Sequence, residues 1–147
     1  MEITITIKLT DDELNKMFEK DEKQVEKKED EVKREYSKYA RFFDETCAGW
    51  TRDSEMNLMF LKQQENYLNE KLRFRGYLFL NEVYDALGIA RTKEGQSVGW
   101  IFDEDNPYGD NYVSFGIYSE GNEGFVNGYE KSILLDFNVD GNILDYI

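Results

Sequence analysis

The chain has 147 residues, 40% of them hydrophobic and 15% aromatic, enough for a single domain with its own core and too apolar for wholesale disorder. It carries 31 acids against 18 bases, a formal charge of −13, so it lacks the basic footprint that direct binding to nucleic acid or anionic membranes requires. There is no histidine, which removes Ser-His-Asp and Cys-His chemistry and His-ligated zinc, and the one cysteine, Cys47, closes no intramolecular disulfide.

Residues 2–9 (EITITIKL) alternate strictly, with Ile3, Ile5, Ile7 and Leu9 on one face, as a half-buried strand does. Thr10 to Glu13 reads as a capping box that starts a long charged helix. Its apolar positions are Leu14, Met17 and Phe18 at the beginning and Tyr36, Tyr39, Ala40, Phe42 and Phe43 at the end. Between them only Val25 and Val32 are apolar, while Glu19–Lys23 and Glu29–Lys33 form favourable i, i+4 pairs. This stretch therefore reads as a solvated rod, with a thin coiled-coil seam as the alternative. Residues 1–46 form an N-terminal strand plus helical arm, and residues 47–147 an acidic α+β module.

CAGW (47–50) breaks the helical pattern, and Thr51 or Ser54 can cap a second helix running to Arg75, with Leu58, Leu61, Leu68 and Leu72 as its stripe. Arg73 and Arg75 suit its C-terminal dipole, and Gly76 suits the position after its end. Asn81 can cap a short third helix, EVYDAL, closed by Gly88. Alternating aromatic and β-branched runs then predict strands at 97–102, 111–118, 132–139 and 142–147, the last two joined by an Asp-Gly hairpin turn. The fold class is α+β: a small antiparallel sheet of about four or five strands on two or three helices, with the long charged helix at the N-terminus.

Charge is unevenly placed. From Glu94 to Ile147 eleven acids face one base, Lys131, which accounts for −10 of the total. The candidate partner-binding residues lie here: Asp103, Glu104, Asp105, Tyr108 and Asp110 in one acidic turn, Tyr112 beside it, and Glu120 and Glu123 in the next loop. Exposed tyrosines among acids make interface anchors, and such a surface attracts basic proteins. The arginines at 73, 75 and 91 are the internal cations that could instead neutralise the turn. Asp136, Asn138 and Asp140 match the first ligand positions of an EF-hand loop, and Gly141 its turn glycine; the position of the bidentate Glu is Ile147, so a hairpin competes with calcium as the explanation. The acidic turn could likewise take a hard cation, or act as a solvated loop. No catalytic residues and no cofactor motif are identified.

YLNEKLRFRGYLFLNEVYDALG, RTKEGQSVGW, GDNYVSFGIY and SILLDFNVDG, within residues 67–147, resemble an uncharacterised family of small proteins encoded by phages and prophages of Gram-positive, Clostridia-type bacteria. The resemblance does not extend to residues 1–46 and supplies no catalytic residues. It implies a phage protein acting in the host cytoplasm, as the absence of a signal peptide and of an apolar run of roughly 20 residues also suggests. Combined with the acidic surface, it predicts a non-enzymatic inhibitor, anti-CRISPR-like, that imitates DNA and occupies the basic nucleic-acid site of a host defence protein, with a CRISPR effector as one such target. It would act as a monomer or homodimer. The alternatives are a phage structural or assembly component oligomerising through the long helix, and a carboxylate-based, metal-dependent enzyme.

Overall fold

The computed structural model describes residues 36–147, of which Ser37–Ile147 form one compact unit. The strand expected at 2–9 and most of the charged helix lie outside the described residues. The end of that expected helix does not: residues 37–40 make a turn and Arg41–Phe43 form strand β1. Phe43 is buried and Phe42 exposed, a period of two rather than 3.6, and β1 pairs antiparallel with the later strand Ile133–Leu135. Residues 37–46, grouped with the arm on composition, thus pack with the module.

Helix α1 spans Ser54–Arg75 and is the longest described element. Its N-cap is Asp53, whose Oδ1 accepts from the amides of Glu55 (3.0 Å) and Met56 (3.3 Å). Thr51 and Ser54, the expected caps, are engaged elsewhere: the Thr51 amide donates to Asn57 Oδ1, and Ser54 Oγ donates to the Glu130 carbonyl. The buried stripe is Ser54, Asn57, Leu61, Leu68 and Leu72, and the helix ends as expected at Gly76, which has φ 90° and donates to the Leu72 carbonyl.

Strand β2 (Tyr77–Phe79) leads directly into α2 (Leu80–Leu87), closed by Gly88 at φ 74°. Asn81 does not cap this helix; it sits inside it and clamps the following loop through Thr92, accepting from its amide and donating to its carbonyl. A 3-10 turn, Glu94–Gln96, precedes β3 (Val98–Ile101), every residue of which is buried. A helical turn α3 (Glu123–Val126), then β4 (Ile133–Leu135), β5 (Gly141–Asn142) and a 3-10 turn (Leu144–Tyr146) complete the chain.

Among the described residues there are two small antiparallel sheets, β1-β4 and β2-β3-β5, where one larger sheet was expected. In the second, Leu78 faces Trp100 and Phe79 faces Gly99. A Cβ on Gly99 would lie 1.9 Å from the Leu78 carbonyl oxygen, so only glycine permits this approach. The Asp-Gly hairpin does not form, because β4 and β5 belong to different sheets. Asp140 turns toward β3 instead: its amide donates to the Gly99 carbonyl and its Oδ2 accepts from Ile101.

The expected strand at 111–118 keeps its alternation, with Val113, Phe115 and Ile117 buried, yet it is not a regular strand. Side chains supply much of its pairing. Asn69 accepts from the Val113 amide (2.7 Å) and donates to its carbonyl (2.9 Å), and Glu65 accepts from Phe115 (2.9 Å). The core between these layers holds Trp100, Tyr84, Phe43, Phe115, Phe125 and Leu61, Leu68 and Leu72 of α1, all essentially inaccessible; Cys47 is buried too. Among the described residues no helix is long and apolar enough to cross a membrane.

Candidate anionic binding site

All eight sequence-predicted partner-binding residues are exposed. Asp103, Glu104, Asp105, Tyr108 and Asp110 project from one loop that follows β3, and its closure is built from side-chain hydrogen bonds. Asp103 Oδ1 accepts from the amides of Asp105 and Asn106, both at 3.1 Å, which makes the first half an Asx turn. Asn111 closes the far end: it accepts from the Asp103 amide and donates to the Asp103 carbonyl, each at 3.1 Å, and adopts φ 64° to do so.

The tip is pinned to the chain's last segment. Tyr108 donates its hydroxyl to the Asn142 carbonyl (3.2 Å), and its ring lies 4.3 Å from that of Tyr146. Asp140 Oδ1 accepts from the Asp110 amide (3.4 Å), and a Cβ on Gly109 would fall 2.0 Å from that same oxygen. Asn138 forms the hub beneath. It donates to Asp110 Oδ2 (3.0 Å) and the Tyr112 carbonyl (2.9 Å), and accepts from the Ser114 amide (2.6 Å) and the buried Trp100 indole (3.0 Å).

Two of the three residues of the EF-hand-like row, Asn138 and Asp140, therefore serve the loop. Asp136 accepts from the Ser37 hydroxyl at 2.7 Å, while Asn138 and Asp140 are committed as above. Among the described residues no group of three or more acids and cysteines is placed to hold a metal ion. Burial pushes the Asp140 carboxyl above its ordinary value, with the neighbouring Asp110 charge adding to this and the Ile101 and Asp110 amides partly offsetting it.

The arginines do not neutralise the loop. Arg75 pairs with Glu82, which Lys71 also reaches at 3.0 Å, and Arg91 pairs with Asp85; both acids lie on α2. Burial raises the Glu82 carboxyl, but Arg75, the Phe79 amide and Lys71 outweigh it and hold the group below its usual range. Lys38 takes Glu94 at 2.8 Å. Among the described residues no ion pair joins Asp103, Glu104, Asp105, Asp110, Glu120 or Glu123 to a base.

Glu120 and Glu123 stand apart from this loop, next to and within α3; Glu123 accepts from the Gly121 amide (3.0 Å), and among the described residues neither is bonded to the acidic loop. Sequence reasoning missed Tyr146, Asn111 and the clamping role of Asn138 and Asp140. The polar residues alternating along 136–140 were visible, but what they grip comes from a loop about 30 positions earlier, which spacing cannot show.

A family of unknown function (DUF6353) matches residues 2–147, so its span includes the N-terminal arm that the resemblance over 67–147 left out. No curated protein and no solved structure matches the chain.

Proposed function

We propose, for a chain that belongs to this family, that it is a binding protein and not an enzyme, presenting a preformed anionic loop to the basic nucleic-acid-binding surface of another protein. The observation that carries this reading is the loop at 103–110: its acids are exposed and among the described residues free of ion pairs, while Asn111 and Asp140 fix its backbone and Asn138 holds the Asp110 carboxylate. Fixed carboxylates spaced along a loop can stand in for a row of phosphates, and fixing them beforehand reduces the ordering cost on binding. Tyr108, Tyr112 and Tyr146 border the charge with exposed rings that can pack on a partner. Such an interface forms quickly and weakens with salt.

The narrower reading is an inhibitor of a host defence protein, with a CRISPR effector as one target, and it rests on the phage-like resemblance of residues 67–147 together with the charge. Affinity capture on the immobilised chain from a bacterial lysate, run at low and high ionic strength, tests the proposal. The expected result is a basic nucleic-acid-binding protein retained at low salt and released at high salt. Recovery of no such protein at low salt would contradict it.

A further inference from the structure

Helix α1 has a second face that the core does not use. Its buried positions, 54, 57, 61, 68 and 72, fall on one side. On the opposite side Met56, Met59, Gln63, Tyr67, Glu70 and Phe74 lie within an arc of about 80° at 3.6 residues per turn. Four of those six are large and apolar, and all four are open to solvent: Met56 57%, Met59 56%, Tyr67 57% and Phe74 94% exposed. An ordinary solvent face carries charged and polar side chains there. Six residues spanning about 27 Å of helix make a seam rather than scattered surface hydrophobes.

We infer that this seam pairs with its own copy, so that two chains associate through antiparallel α1 helices about a two-fold axis. The charge pattern selects that occupant and that direction. Along one flank of the seam the sequence places Glu55, Lys62, Asn66 and Arg73 in turn. Reversing a second helix so that Met56 meets Phe74 of the second copy sets Gln63 beside Tyr67 of the second copy. In that register the nearest positions on the same flank are Glu55 with Arg73 of the second copy and Lys62 with Asn66 of the second copy, each offset by about 3 Å along the axis, within reach of these side chains. Every charged flank position then meets an opposite or neutral one, twice over, as a two-fold interface requires. A parallel pairing would put Glu55 against Glu55 and Arg73 against Arg73. Neither residue has an ion pair within its own chain among the described residues, so both are available. The apolar contacts are of a kind that hold: methionine sulfur against the Phe74 ring at each end, with the two Tyr67 rings near the axis.

Sedimentation equilibrium of the full chain tests this, over about 1 to 100 μM at an ionic strength that screens the −13 charge. The expected result is a monomer–dimer equilibrium within that range, with association weakened about tenfold or more in Met59→Ser/Phe74→Ser. These side chains are exposed, so the variant should melt where the wild-type monomer does, and the loss then reads as lost pairing. Glu55→Arg and Arg73→Glu should each weaken the dimer, and the double reversal should restore it. A chain that stays monomeric throughout, or a dimer indifferent to the Met59/Phe74 change, would overturn the inference. A double reversal no better than the single ones would overturn the antiparallel register.

Discussion

Asparagine does much of the joining in this molecule. Its amide both donates and accepts, so one side chain can satisfy both polar groups of a backbone segment that lacks a strand partner. Asn57 does this for Thr51, Asn69 for Val113, Asn81 for Thr92 and Asn111 for Asp103. Asn138 does more, holding Ser114, Tyr112 and the Trp100 indole at once. Replacing Asn138 by alanine leaves the half-buried Ser114 amide without its acceptor and weakens the hold on the buried Trp100 indole, so Asn138→Ala should lose about 1–2 kcal/mol in urea unfolding. A loss near zero would mean water takes over its role. Glu82 gives a pH-dependent counterpart. Its folded-state pKa lies below the ordinary 4.5, so its stabilisation is present above that value and is lost as pH falls through the folded pKa. The stability gap between wild type and Glu82→Gln should therefore shrink between about pH 6 and pH 3.

Elements with local signals were legible in the sequence. Helix α1 announced its apolar stripe, its end at Arg75 and its Gly76 stop, and α2 its Gly88. Strand β3 fell within the expected run. What misled was local chemistry with a non-local answer. Asp140-Gly141 is a good hairpin turn by itself, but the Asp140 side chain reaches Ile101 and carries the chain from one sheet to the other. Residues 111–118 have a strand's alternation, yet helix side chains and Asn138 do much of the pairing, which no period reveals. The Tyr39–Phe43 stretch shows an aromatic cluster that fits a helix until the partner strand β4, some 90 residues later, is known. The acidic loop was legible as charge, but its clamp was not. At this scale Gly99→Ala is the sharpest test: the added methyl meets the Leu78 carbonyl, and β2 and β3 must part. A loss of about 3 kcal/mol in thermal or urea unfolding is expected, and a change under about 0.5 kcal/mol would refute the close approach.

On the scale of the whole molecule, charge is segregated. Of the bases of α1 and of the segment after α2, Lys71, Arg75 and Arg91 are engaged with acids of α2, while among the described residues no ion pair reaches Asp103, Glu104, Asp105, Asp110, Glu120 or Glu123. Self-repulsion of that kind is a cost to folding that the fixed loop backbone must withstand. Neutralising it without changing shape, by Glu104→Gln, Asp105→Asn and Asp110→Asn together, should leave the melting temperature unchanged or slightly raised. Asp110 and Asp105 take part in the loop mainly through their backbone, and an asparagine at 110 can still accept from Asn138. The most direct measurement is a displacement titration: a labelled nucleic-acid duplex bound to the captured partner, challenged with the wild-type chain and with this triple variant. The account predicts that the wild type displaces the duplex, more weakly as salt rises, and that the variant loses at least about tenfold in potency. Displacement by both chains alike, or by neither, would contradict it.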